Sequence, residues 1–163
     1  RLARRAGAGG LLLAPGIVGL DTMRHLAADE SIGLPVLSHP AFQGSFTLHR
    51  DHGLSHGVLY GMLNRLAGAD AAVFPNHGGR FSFTPEQCRD LVRGTEVEMP
   101  GIKPIFPVPA GGMSLGRVPE LCEFYSTEVI LLIGGDLHRH GPDLVESCRE
   151  FGRLVQPPPG QGP

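Results

Sequence analysis

The sequence has no apolar run approaching the roughly 18 residues of a membrane-spanning helix, so no membrane partner is expected. It has no CxxC pair. Cys88, Cys122 and Cys148 are odd in number and widely spaced. That excludes a disulfide framework and points to free thiols in a reducing, cytoplasmic setting. It has no excess of positive charge: 14 Lys and Arg stand against 16 Asp and Glu, net charge −2, with no basic stripe. A nucleic-acid partner is therefore not expected. No GxGxxG follows the first apolar run, which argues against a dinucleotide fold, and no HExxH is present. There is also no Met at position 1, and "RLARRAGAGG" reads as the end of a helix with a glycine stop, as if the chain began inside a larger fold. The same stretch looks superficially like a signal peptide. Its apolar part is too short for one, and patterned sequence follows Pro15-Gly16.

What is present is a repeat. Short apolar runs at 11–14, 35–38, 71–74, 105–108 and 129–133 are each followed by a stretch with helical spacing. Asp51 is a plausible cap for a helix whose apolar face holds Val58, Leu59, Met62, Leu63 and Leu66. Thr84-Pro85-Glu86-Gln87 opens another, with a capping residue, Pro in the first turn and an acid beside it. Five βα units in series imply a parallel sheet covered by helices. An open doubly wound sheet and a stretch of a (β/α) barrel both fit. Five parallel strands cannot close a barrel, and Gly pairs follow the last two runs, where barrels often bind phosphate. The expected fold is thus α/β: the C-terminal five units, strands four to eight, of an incomplete (β/α)8 TIM barrel over residues 1–155. The Pro/Gly-rich tail 156–163 is expected to be disordered.

In either architecture, function belongs at the C-terminal ends of the strands. Gly111-Gly112 and Gly134-Gly135 lie there. Without Cβ atoms, two such turns on adjacent strands could offer bare main-chain amides to one phosphate; tight turning is the plainer reading of each pair alone. His39, just beyond the 35–38 run, could move a proton near neutral pH, or simply cap a loop carbonyl. "FPNHGGRFSF" reads as a strand and a Gly-hinged mobile loop, with His77 inside it and Arg80 at its far end. Such a loop could close a cation over an anionic substrate. His52 and His56 have the spacing of a helical metal pair, but no third ligand is near, so a surface pair on a capped helix is expected. Asp21 and Asp136 lie near strand ends.

In their order and spacing, "LPVLSHPAF", "DHGLSHGVLYGMLNRLAGAD", "FPNHGGRF", "FPVPAGGMSLGRVPEL" and "VILLIGGDLHRHG" resemble the C-terminal part of the RuBisCO large subunit, and more closely the RuBisCO-like proteins of form IV. The resemblance covers roughly residues 10 to 155. It implies an amino-terminal α+β domain outside this sequence and a homodimer with active sites at the subunit interface. It places Gly111, Gly112, Gly134 and Gly135 on the family's phosphate-binding turns and His39 beside the reacting carbons. Arg80 stands where carboxylating members carry a catalytic lysine; its fork-shaped donor is not equivalent to an ammonium. Pro40, Val73 and Ala110 replace an arginine, a histidine and a serine that serve the second phosphate of a bisphosphate.

The resemblance therefore implies part of a Mg2+-dependent lyase or isomerase that enolises a sugar-derived monophosphate, with tautomerisation, isomerisation or decarboxylation as the outcome. Carboxylation of ribulose bisphosphate is not expected. No metal ligand is expected in this chain, because the family's carbamylated lysine, Asp and Glu would lie upstream of residue 1. The alternatives are a non-catalytic α/β binder of phosphate or a small anion, and part of a true ribulose-bisphosphate carboxylase.

Overall fold

The computed structural model describes residues 1–49, 51–81, 83–125 and 127–155; the expected disordered tail lies outside them. The chain runs α1 (Leu2–Arg5), β1 (Leu11–Leu13), α2 (Pro15–Val18), α3 (Leu20–Ala28), β2 (Val36–Ser38), a π-helical stretch (Gly57–Met62) continuing into α4 (Leu63–Leu66), and β3 (Ala71–Pro75). It continues with α5 (Pro85–Glu96), β4 (Phe106–Ala110), a 3-10 turn (Leu115–Arg117) leading into α6 (Val118–Tyr125), α7 (Gly135–His140) and α8 (Leu144–Leu154). The four strands form one parallel sheet in the order β1-β2-β3-β4.

The fifth apolar run lies beside β4 but is only half bonded to it. Ile130 and Leu132 donate their N–H groups to the carbonyls of Pro107 and Pro109, at 3.1 and 3.2 Å. Proline has no N–H to give back. The ladder therefore runs one way, and 129–133 does not form the full strand expected from its apolar character.

Helices cover one face of the sheet. Met23, Val36, Ala67, Ala69, Ala72 and Ile105 pack together there, and Leu59, Tyr60, Phe74, Cys88, Leu91, Met113, Leu121 and Tyr125 form the larger cluster. The other face carries Ala71, Val73, Val108 and Ala110, with Leu37 against them. Toward its two margins Leu12 and Leu132 are 63% and 47% exposed. An apolar face so open is unusual in parallel sheets, which are generally covered on both sides.

The α5 helix begins as expected. Gln87 N–H donates to Thr84 Oγ1 at 3.2 Å, and Thr84 N–H donates to Gln87 Oε1 at 2.8 Å. The preceding helix differs from expectation. Residues 51–53 are bends, so Asp51 is not its cap and His52 is not on it. In the π-helical turns the buried set becomes Gly57, Leu59, Tyr60 and Gly61, then Asn64 and Arg65, while Leu66 is 43% exposed. The wider turn breaks the 3.6-residue stripe on which the expected face rested.

This helix can lie close to α5 because glycines face each other. A Cβ on Gly94 would collide with the carbonyl oxygen of Gly57, and one on Gly61 would collide with the backbone of Gly94. Arg65 closes the far end of the pair. Its guanidinium donates to the carbonyls of Gly94, Val97, Ile102 and Lys103.

Candidate active site

At the C-terminal ends of β2, β3 and β4 lies a cavity of about 470 Å3. His39, Arg80 and Gly111 line it, together with Pro40, Val73, Phe74, Phe83, Ala110 and Leu132. A mainly apolar hollow with a few converging polar groups is the usual form of a small-molecule site. Three of the expected site residues meet here, and they share it with Pro40, Val73 and Ala110.

His39 follows β2 directly. Its N–H donates to Leu13 O at 2.7 Å, which ties it to the sheet, and its exposed ring lines the cavity. Ala41 N–H donates to His39 Nδ1 at 3.2 Å. With Nδ1 acting as acceptor, the proton of the neutral ring sits on Nε2. His39 therefore presents a hydrogen-bond donor at Nε2.

The glycine pairs divide. Gly111 and Gly112 have φ of +81° and +75°, the left-handed region that glycine enters without strain. What comes close to them is the chain's own loop. The Phe81 ring would lie 2.6 Å from a Cβ on Gly111, and Arg80 N would lie 2.6 Å from a Cβ on Gly112. Gly134 and Gly135 are exposed and do not line the cavity. Gly135 opens α7, and the next residue, Asp136, accepts a hydrogen bond from Leu115 N–H at 2.8 Å. One main-chain donor beyond the first Gly pair is thus already used.

The loop after β3 has a buried root and an exposed end. Asn76 is fully buried and accepts from the Tyr125 hydroxyl at 2.6 Å. His77 is also buried and faces away from the cavity, its ring 4.5 Å from Phe124, while its carbonyl accepts from Arg117 at 3.0 Å. Arg80 is exposed, with its guanidinium 5.0 Å from the Phe81 ring centre. So Arg80 reaches the cavity and His77 does not.

His56 sits elsewhere, edge-on to Phe83 at 4.7 Å, and His52 stacks with His49 at 4.9 Å. Among the described residues no three His, Cys, Asp or Glu side chains are placed to hold a metal ion. No helix among them is long and apolar enough to cross a membrane.

Burial lowers the pKa of both His56 and His77; Arg117 lowers that of His77 further, and Asp90 partly offsets the shift at His56. A depressed folded-state value means that the neutral ring stabilises the fold above the unfolded value near 6.5. That contribution is lost as the pH falls below this value toward the folded-state values, because only the unfolded chain then takes up the protons. The urea midpoint should therefore fall between pH 7.5 and pH 5, and His56→Asn should flatten the slope. An unchanged midpoint over that range would contradict the burial of both rings.

The aromatic wall was not foreseen. Tyr60 lies in the stretch expected to be helical but outside its expected apolar face, Phe83 lies in the stretch expected to be a loop, and nothing local marks either as a cavity residue.

Solved structures that share this fold are RuBisCO-like proteins. The chain is 37% identical to the Rubisco-like protein of Rhodopseudomonas palustris, with a TM-score of 0.80 over 94% of this chain and 39% of that one. It is 32% identical to a rubisco-like protein (MtnW) from Alicyclobacillus acidocaldarius, with a TM-score of 0.85 over 93% and 38%. No family model matches the chain. Among curated relatives it is 45% identical to ribulose bisphosphate carboxylase-like protein 1 of Rhodopseudomonas palustris, over 92% of this chain and 39% of that protein. It is 33% identical to 2,3-diketo-5-methylthiopentyl-1-phosphate enolase of Bacillus pumilus (95% and 38%), and 39% identical to 5-methylthioribulose-1-phosphate isomerase of Rhodospirillum rubrum (86% and 36%). The chain belongs to the RuBisCO large-subunit family, on the side of the RuBisCO-like proteins. It spans under two fifths of the length of these relatives.

Proposed function

We propose that this chain supplies strands four to eight of a (β/α)8 barrel in an enzyme that enolises a phosphorylated keto compound with an apolar tail. The observation that carries this reading is the composition of the cavity. His39, Arg80 and Gly111 line the cavity, and Pro40, Val73 and Ala110 with the aromatic rings leave most of the rest apolar. Such a wall has nothing to pair with a second phosphate, and burying an unpaired dianion there would be costly. It suits an uncharged tail such as the methylthio group in the names of the two curated relatives. The uncovered sheet face supports the barrel, since strands from elsewhere in the protein would enclose it.

In this reading a base takes the α-proton as the C–H bond breaks, the C–H electron pair forms the C=C bond, the carbonyl π pair moves onto oxygen, and that oxygen then takes a proton from solvent. His39 Nε2–H points a donor at that oxygen and stabilises the charge as it develops. Arg80 and the Gly111 turn hold the phosphate and so fix the carbon chain in register; Gly134 and Gly135, which lie outside the cavity, would join them only if the loops close further on the ligand. Mg2+ would stabilise the enediolate. We propose that its ligands lie elsewhere in the full-length protein, and no step here depends on it. We further propose that the full-length protein is a homodimer.

The test is deuterium exchange at the α-carbon of 2,3-diketo-5-methylthiopentyl-1-phosphate and 5-methylthioribulose-1-phosphate, catalysed by the full-length protein. Exchange with at least one is expected. His39→Ala should slow it by about 10²- to 10³-fold, the effect of losing one oxyanion donor. No exchange with either compound would overturn the reading.

A further inference from the structure

His77 and Asn76 are buried polar residues that the proposed chemistry leaves unused. They sit where β3 ends, three and four residues before Arg80. Asn76 N–H donates to Ala110 O at 2.8 Å, and Asn76 Oδ1 accepts from Tyr125, which joins the loop root to β4 and to α6. His77 is 8% exposed, its ring against Phe124 and 6.3 Å from Tyr125, its carbonyl held by Arg117. Neither His77 Nε2 nor Asn76 Nδ2 has a protein partner among the described residues. From this root the chain passes over Gly111, with Gly79 in contact with its carbonyl, and Arg80 emerges at the cavity.

The His77 ring faces charges from two helices. Glu86 and Arg89 come from α5, and Arg117 and Glu120 come from the start of α6 and the turn before it. Two guanidinium groups and burial oppose a charged imidazole. The glutamates offset this only from the exposed surface.

We propose that His77 is a positioning residue: its uncharged ring, clamped with Asn76 between β4 and α6, sets where Arg80 stands over the cavity. The proposal rests on Arg80 contacting the anionic substrate described above. The ring touches no part of the cavity, so it acts through Arg80. Protonation would set a cation against Arg117 and Arg89 and loosen the clamp, and Arg80 would lose its register.

Two measurements on the full-length protein test this. In the exchange assay with 2,3-diketo-5-methylthiopentyl-1-phosphate, His77→Asn and Arg80→Ala should each raise KM about tenfold, the scale of one weakened charged contact. The double variant should raise KM no further than Arg80→Ala alone, because coupled residues are not additive. Additive effects, or a His77→Asn that lowers the thermal midpoint and leaves KM alone, would overturn the proposal. If His77→Asn does not fold, Tyr125→Phe replaces it in the same cycle.

The second measurement needs no substrate. Hydrogen-exchange protection of the Asn76 amide, which is bonded to Ala110 O at the loop root, should fall between pH 7.5 and 5.5 in the unmodified protein and stay level in His77→Asn. Protection that does not change with pH in the unmodified protein would overturn the clamp, whether or not the protein enolises anything.

Discussion

Arg65→Ala is expected to remove about 2–3 kcal/mol of stability, since a buried carbonyl left without its donor costs about 1–3 kcal/mol and, of the four it serves, that of Gly94 is buried while the other three are partly buried and can recover some of the loss from water. Arg65 is 3% exposed, and its ion pairing is not with a carboxylate among the described residues. It spends its donors on Val97 O at 2.6 Å, Lys103 O and Ile102 O at 3.1 Å, and Gly94 O at 3.3 Å. Gly94 and Val97 are at the end of α5, where the carbonyls have no partners within the helix and the helix dipole favours a cation. The other two belong to the segment that turns back into β4. One side chain thus fastens the helix end to the start of the next strand. Arg65→Lys should recover only part of the loss, because an ammonium is a point donor and cannot span four oxygens as the planar fork does. Urea unfolding would measure both changes. A loss below about 1 kcal/mol for the alanine variant would mean that the four carbonyls find water instead.

Gly94→Ala and Gly94→Val are each expected to cost about 3 kcal/mol or more, the upper end for overpacked interiors. The atoms that a Cβ would meet are the carbonyl oxygen, carbonyl carbon and Cα of Gly57. Backbone cannot swing aside as a side chain can, so the two helices must separate and pull Leu59, Tyr60 and Leu91 from the shared core. Because the collision begins at Cβ, alanine should be nearly as harmful as valine. Gly152→Ala in α8 provides the contrast. Nothing lies within 4 Å of its would-be Cβ, so the change should stabilise the protein by up to about 1 kcal/mol through helix propensity. Thermal unfolding of the three variants decides the matter, and a Gly94→Ala midpoint equal to that of the unmodified protein would refute the close approach.

These two residues also mark where sequence reading ran short. Four strands were legible because short apolar runs bounded by Gly, Pro and Asp carry a strong local signal, and the cap at Thr84 was legible because its residues are adjacent. Arg65 was not. A lone cation on an apolar helix reads as a surface group, and its four acceptors lie 29 to 38 residues away. The helix before it was misread because Asp51 offered a plausible cap and the π-helical turns shift the buried face. In the candidate site, His39 and Arg80 were legible from their places after strands. The inward turn of His77 was not, since it depends on Phe124, Arg117 and Tyr125, which lie 40 or more residues downstream. The fifth strand failed for the opposite reason. Its own residues suit a strand, and the deficit belongs to the prolines of its neighbour.

That deficit gives the sheet a seam. Along β4 the two prolines receive hydrogen bonds from 129–133 and return none, so the join is held mostly by side-chain contact. Under a steady pull, or on slow warming, the segment from 129 onward should peel away as one piece while β1 to β4 stay together, and the strand tips that border the cavity would part along that line first.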